Sequence, residues 1–411
     1  MEKGIFRMTE KKEPIRNVDQ TGWIDQGPRN YQRDLQNPDL LVPPTTDHGT
    51  VANLRFSFSD AHMRLESGGW TREVTNRELP ASHDLAGVDM CLKPGAYREM
   101  HWHQQAEWAM MLQGNARVTA LNENGESFID DIAAGDLWDF EAGIPHSIQA
   151  LDQGCEFLLV FSEPDFSENN TFLLTDWLAH TPKDIIAANF KVDEATLKPL
   201  PSHEKYIFDG NVPGPIETVK KPGTPMKTLL TLHMKDVPAK EFEAGKVWII
   251  DQSVFPAAQT ISAAIVEVQP GGMREMHWHP KSEEWDYYIQ GQAKVGVFNS
   301  NTLARTFNFN AGDVGVIPKE AGHYIQNIGD EPLIFIELFK NPVYSDVSLN
   351  KWLAISPTQM VADHLNLPTS TIENFPTEEA AVVWYKDPRG HVAHQPVVDP
   401  ETFSANDVFG K

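Results

Sequence analysis

A hexapeptide that occurs twice constrains this chain more than any other feature. Arg98-Glu99-Met100-His101-Trp102-His103 returns letter for letter as Arg274-Glu275-Met276-His277-Trp278-His279. Each copy is followed by a glutamate, Glu107 or Glu284, and further on, at nearly equal spacing, by another histidine, His146 or His323. A lone His-x-His is usually an ordinary pair of strand residues. Two such pairs, each with its own glutamate and distal histidine, imply two metal sites on a duplicated fold.

The repetition reaches beyond the histidines. Ala133-Ala134-Gly135-Asp136 matches Asn310-Ala311-Gly312-Asp313, and Trp177-Leu178-Ala179 before Pro182 matches Trp352-Leu353-Ala354 before Pro357, two expected helix starts. Segments such as Leu85–Leu92, Ala116–Leu121, Phe157–Phe161, Ala263–Val268 and Leu333–Phe339 are short, apolar and rich in β-branched or aromatic residues. Gly and Asn turns separate them, the pattern of an all-β sandwich or barrel. We expect an N-terminal arm over 1–50, a first domain over 51–225, a second over 226–370 and a polar tail over 371–411 without counterpart in the first copy. The Gly- and Pro-dense stretch Asp209–Gly223 is the expected linker.

The net charge of −24 on 411 residues argues against nucleic acid, which needs clustered Lys and Arg. Any anionic ligand must be drawn by local cations, not by the global field. The two cysteines, Cys91 and Cys155, suggest buried reduced thiols and no disulfide framework. With no apolar leader in 1–20 and no run approaching the ~18–20 apolar residues of a membrane span, a cytoplasmic protein is expected.

Strand alternation puts His101 and His103 on one face, and likewise His277 and His279. Neutral imidazoles plus one carboxylate, with open positions, suit an octahedral divalent ion of the Mn²⁺ or Fe²⁺ type. A closed zinc site would more often recruit cysteines. Trp102 and Trp278 point to the opposite face and are expected in the core. His203, His233, His391 and His394 lack partners at ligand spacing.

Gly95-x5-His101-x-His103-x3-Glu107-x6-Gly114 resembles the first cupin motif, and Gly271 to Gly291 is the same motif with one residue inserted. The second motif departs in its turns. Glu141 stands where proline is usual and Ala150 where asparagine is usual, while the second copy keeps Pro318 and Asn327 but has Gly322 next to its histidine. Across roughly residues 35–365 the chain is more closely similar to the bicupin oxalate decarboxylases, in stretches such as Phe128-Ile129-Asp130-Asp131 and Leu174 to Pro182. The resemblance implies two double-stranded β-helix (jelly-roll) domains with short peripheral helices. It implies two Mn²⁺ per chain, dioxygen as co-substrate, and redox-neutral cleavage of oxalate to formate and carbon dioxide. It also implies a homohexamer of two stacked trimers, with the N-terminal arm packed on the second domain. Met110 stands where that family usually has tyrosine, whereas the second copy keeps Tyr287 and Tyr288.

Cleavage of oxalate needs a group that acts as base and then as acid, with a pKa lifted toward working pH. Ser167-Glu168-Asn169 resembles the acid-bearing lid of that family, which makes Glu168 the expected proton donor. Counting back from the shared Trp-Leu-Ala puts Val343 near the Glu168 place, so only the first domain is expected to have an acidic lid. Arg98 and Arg274 are the expected cations for a substrate carboxylate. That assignment rests on the resemblance: Arg98 has opposite parity to His101, and only a bulge would turn it into the pocket. Glu337, inside the apolar run Leu333–Phe339, needs a buried partner. The resemblance places it with Arg274 beside the second metal, either in a subsidiary catalytic role or in an ion pair that only holds the strand. Two rivals stand beside the decarboxylase. One is an oxalate oxidase, which would lack the lid acid; the other is a non-catalytic bicupin, which would usually have lost metal ligands.

Overall fold

The computed structural model describes residues 30–41, 43–219 and 223–385. The start of the expected arm, Val42, residues 220–222 of the linker, and the tail from 386 with His391 and His394 lie outside the described residues. The described part is mostly β, two jelly-roll barrels side by side with a few short helices, as expected.

The first barrel is built on two strands long enough to bend through both of its layers, Glu107–Leu121 and His146–Phe161, so its layers form one continuous sheet. In the second barrel the matching strands are broken, Glu284–Gln290 from Gln292–Phe298 and Gly322–Asn327 from Leu333–Phe339. Seven- and six-stranded sheets result. Ala86–Leu92 and Ser262–Val268 are buried on nearly every residue, because one face lines a barrel and the other meets the neighbouring domain. One apolar cluster runs through that junction, with Trp108, Val160, Trp285 and Leu338 all fully buried. A Cβ on Gly87 would lie 2.5 Å from the Trp285 ring, so the sheet surfaces approach this closely only because residue 87 has no side chain.

The domains also exchange strands. Arg55–Ser57 pairs with Gly315–Asp313 of the second barrel, and Thr231–Leu232 pairs with Trp138–Leu137 of the first. The described arm packs on the second domain through Asp39 to Asn308 and Lys294, and Asp47 to Thr306. The expected boundaries at 51 and 226 therefore cut through segments that belong to the opposite barrel. A second correction concerns the tail. Val382–Trp384 pairs with Gly272–Arg274 as Ile207–Phe208 pairs with Tyr97–Arg98, so the tail has a counterpart as far as it is described. Cys91 and Cys155 are free thiols. No helix among the described residues is long and apolar enough to cross a membrane.

Candidate metal centres

The repeated motif forms one strand in each barrel, Tyr97–Trp102 and Gly272–Trp278. His101 lies in register with His146, and His277 with His323, which brings the sequence-distant histidine of each set beside its pair. The glutamate opens the next strand. All eight predicted ligands converge as two clusters, His101, His103, Glu107, His146 and His277, His279, Glu284, His323. Within each, the potential ligand atoms lie within 4.8 Å of one another, and every member is buried.

The outer hydrogen bonds set the direction of each ring. Nδ1 of His101, His103 and His146 faces the carbonyls of Glu99, Gln105 and Ile144 at 2.6, 2.6 and 2.8 Å. Nδ1 of His277, His279 and His323 faces those of Glu275, Ser345 and Ala321 at 2.7, 3.0 and 2.9 Å. A carbonyl accepts, so Nδ1 carries the ring proton and the Nε2 lone pair turns inward. His277 Nε2 then lies 3.2 Å from His279 Nε2, and Glu284 Oε2 lies 3.0 and 2.9 Å from His279 and His323 Nε2. Lone pairs and a carboxylate crowded this way repel unless a cation lies among them. Three imidazole nitrogens and one carboxylate oxygen, with no sulfur, fit a divalent ion that keeps open positions. In the first centre Trp138 Nε1 donates to Glu107 Oε1 at 3.0 Å, which fixes the carboxylate and leaves Oε2 for the ion.

Pairing slips between Arg98 and His101, and again between Arg274 and His277. This is the bulge that Arg98 needed to turn to the ligand side. Arg98 sits with its guanidinium over the Tyr206 ring, 4.2 Å from the centroid. Among the described residues that guanidinium donates no hydrogen bond, and its Nη1 is fully buried. Tyr206 was not visible as a site residue in the sequence. It lies far along the chain in a buried left-handed conformation (φ 56°), a strained state for a bulky side chain that the surrounding structure must enforce. Glu99 enforces part of it, accepting from the backbone of Tyr206, Lys205 and Thr175 at 2.8, 3.0 and 2.6 Å. The Tyr206 hydroxyl is buried beside Glu168.

Glu168 caps this pocket on a short 3-10 turn, Glu168–Asn170, and is only 5% exposed. Burial pushes its carboxyl up, against the opposing pull of Arg98, Tyr206 and the Thr71 hydroxyl, which donates to it at 3.0 Å; neighbouring Glu73 pushes in the same direction as burial.

The second pocket is arranged differently. Arg274 donates to Glu337 at 3.2 Å, to Tyr344 at 2.8 Å, to Asp346 at 2.5 Å and to the Ala381 carbonyl at 3.4 Å. Glu337 has its buried partner, and burial still pushes its carboxyl up against the pull of Arg274. The expectation that Val343 stands in the Glu168 place needs correction. Phe166 packs on Phe161 as Tyr344 packs on Phe339, so the two lids match from their front ends, and Asp346 is the acid that reaches the arginine. Burial pushes Asp346 up, but Arg274 outweighs it and holds the carboxyl below its ordinary value. The second lid therefore does carry an acid, held in an ion pair.

Two further expectations change. Trp102 and Trp278 are half-buried, outside the core: Trp102 stacks on Phe172 and meets Trp177 edge-on, and Trp278 meets Trp352 in the same way. Alternation gave the face correctly but not what covers it. His233 is tied to Asp136 at 2.9 Å, an anchor of the exchanged strand. Met110 is partly buried against the core cluster.

Two stretches of the chain, 58–198 and 235–373, match the Cupin family model. The oxalate decarboxylase OxdC of Bacillus subtilis (strain 168) is 56% identical over 358 residues, covering 87% of this chain and 93% of its own. A probable oxalate decarboxylase of Arthroderma benhamiae is 38% identical over 367 residues, covering 88% of this chain and 91% of its own. Among solved structures, the formate complex of Lactobacillus farciminis oxalate decarboxylase superimposes with a TM-score of 0.81 and 80% identity, covering 82% of this chain and all (100%) of that one. A Bacillus subtilis oxalate decarboxylase structure described for its Mn(II) centres gives a TM-score of 0.87 and 54% identity, covering 90% of this chain and 99% of that one.

Proposed function

Because this chain belongs to the cupin family and, within it, to the bicupin oxalate decarboxylases, we propose that its first metal centre converts oxalate to formate and carbon dioxide with Glu168 as proton acceptor and donor. The observation that carries this reading is the pairing of a buried cation that has donors to spare with a buried acid above one ligand cluster. Arg98 can turn those donors to a carboxylate, and its planar fork suits one. Manganese with dioxygen would supply the reversible one-electron withdrawal that makes the carbon–carbon bond of oxalate breakable.

The chain's own residues handle binding and protons. Arg98 orients one carboxylate of the substrate, and the Tyr206 ring keeps that guanidinium in place. Glu168 takes the proton of hydrogenoxalate, carbon dioxide leaves, and Glu168 returns the proton to the carbon of the remaining fragment. A carboxyl raised by burial suits both halves of that task near mildly acidic pH. With the lid down, water is excluded from the fragment before it is protonated. An oxidase would have no use for such a donor, and a storage protein no use for eight intact ligands.

The same reading gives a cytoplasmic homohexamer of two stacked trimers. Trp177 and Trp352, 59% and 52% exposed, continue the aromatic clusters of Trp102 and Trp278 outward, as surfaces covered by other copies would. The deciding experiment mixes purified, manganese-loaded protein with oxalate at mildly acidic pH and measures formate and peroxide together. Formate should account for nearly all oxalate consumed; peroxide as the main product would replace this reading with the oxidase.

A further inference from the structure

The lid tip, residues 168–171, carries the buried acid with little apolar grip on the barrel. Its two ends are secured. Phe166 stacks on Phe161 with ring centroids 3.5 Å apart, and Leu173 is buried and paired with His101. Between them the tip is Glu-Asn-Asn-Thr. Asn169 and Asn170 bond only locally, to Ser167 within the lid, and among the described residues the hydrogen bonds that tie this tip to the strand beneath it both involve Glu168. The Thr71 hydroxyl donates to its carboxylate at 3.0 Å, and the Glu168 N–H donates to Glu73 Oε1 at 2.6 Å. Thr71 and Glu73 are alternate residues of the strand Gly69–Val74 and so share one face of it. The other oxygen of Glu73 accepts from Arg77 Nη2 at 2.7 Å, which fixes the acceptor before the lid arrives.

The second domain lacks this ledge. Gly69 pairs with Leu92 as Gly245 pairs with Val268, and in that register Thr71, Glu73 and Arg77 correspond to Val247, Ile249 and Ser253. The domain whose lid acid is tied up by an arginine has apolar residues where the first has an acceptor and a donor. A cavity of about 310 Å³, lined by His62, Arg64, Arg77 and Asn169 together with the ledge, gives the tip room to swing away.

We propose that Glu73, set by Arg77, is the catch of the first centre's lid, a positioning residue whose hydrogen bond to the Glu168 amide keeps the acid over the substrate until carbon is protonated. The inference rests on Glu168 being the proton donor. A charge-assisted hydrogen bond shifts an open–closed equilibrium by about ten- to a hundredfold. If the lid opens early, the fragment left after loss of carbon dioxide gives up its electron instead of gaining a proton. Hydrogenoxalate, dioxygen and a proton then yield two carbon dioxide and one hydrogen peroxide: oxalate loses two electrons and dioxygen gains them.

The test compares Glu73→Ile, Glu73→Gln and Arg77→Ser with Glu168→Gln, all as full-length manganese-loaded protein. Four quantities are read: formate, peroxide, manganese content and hydrogen–deuterium exchange of the 166–173 segment. Glu73→Ile should cut formate turnover about tenfold, raise peroxide per oxalate consumed and speed lid exchange, with manganese unchanged. Glu73→Gln, which still offers an oxygen, should recover part of each effect. Arg77→Ser alters a side chain 58% exposed and should shift the same readouts less, so it decides the matter even if Glu73→Ile does not fold. Parental lid exchange and product ratio in Glu73→Gln and Arg77→Ser, while Glu168→Gln loses formate production, would overturn the catch alone. Parental formate production by Glu168→Gln would instead overturn the proton-donor reading beneath it.

Discussion

Arg98 and Arg274 occupy matching places, each beside the same bulge and just ahead of its histidine ligands, yet their guanidinium groups keep different company. Arg98 rests on the Tyr206 ring with a buried Nη1 that has no acceptor among the described residues. Arg274 is surrounded by Glu337, Asp346 and the Tyr344 hydroxyl, and burial, which alone would lower its pKa, is outweighed by them. Tyr206 aligns with Ala381, so the second pocket has no ring to hold its arginine flat. Duplication kept the ion-binding walls and changed what the cation is for. A guanidinium already neutralised by two carboxylates has little affinity left for a dianion, whereas one that rests on an aromatic face and donates to no carboxylate among the described residues retains it. The acids follow suit, with Glu168 pushed up by burial and Asp346 held down by its ion pair.

The largest expected effect breaks or keeps this asymmetry at the lids. Glu168→Gln should lower the kcat for formate by about 10²–10⁴-fold, the usual worth of a general acid–base, and Asp346→Asn by less than about threefold. Similar losses in both variants would mean the two centres share turnover. Next come the arginines. Removing Arg274 strands the buried carboxylate of Glu337 and the largely covered one of Asp346, and should cost about 3–5 kcal/mol of stability, seen in denaturant unfolding. Arg98→Ala should cost about 1 kcal/mol or less in the same assay while abolishing oxalate turnover. Equal destabilisation would show that the fold depends on Arg98 no less than on its counterpart. A milder change, Arg98→Lys, keeps the charge and loses the fork, and should raise KM for oxalate about tenfold with little change in manganese content.

These contrasts were legible in the sequence to different depths. His101, His103 and Glu107 could be read because strand pairing turns short spacing directly into proximity, and repetition removed chance. The bulge at Arg98 could only be named as a requirement, since alternation fixes parity but not where pairing slips. Tyr206 and Ala381 were out of reach: each joins its strand across about a hundred residues or more, through a short edge segment with no periodicity of its own. Asp346 was missed because the shorter second lid was aligned from its helix end, whereas packing aligns it from Phe339. The strand exchange was equally hidden. Arg55–Ser57 is three residues long and carries no signal of which barrel it joins.

The smallest effect expected is also the one that tests the two acids against each other. Glu168 has a folded-state pKa above its unfolded value. Between those values the folded state holds a proton that the unfolded state has released, so this group subtracts stability as pH rises above about 4.3. Asp346 is the reverse. Its folded-state pKa lies below the unfolded one, so its contribution is present above about pH 4 and is lost as pH falls below that. Relative to the parent, Glu168→Gln should therefore gain thermal stability as pH rises above about 4.3, and Asp346→Asn should lose it as pH climbs toward about 4. Each difference should be on the order of a degree or two in Tm. Using differences from the parent cancels the titration of the histidine ligands that both variants retain. Trends of the same sign in the two variants would mean that the lids sit in like environments, and the contrast between a free and a neutralised arginine would lose its electrostatic basis.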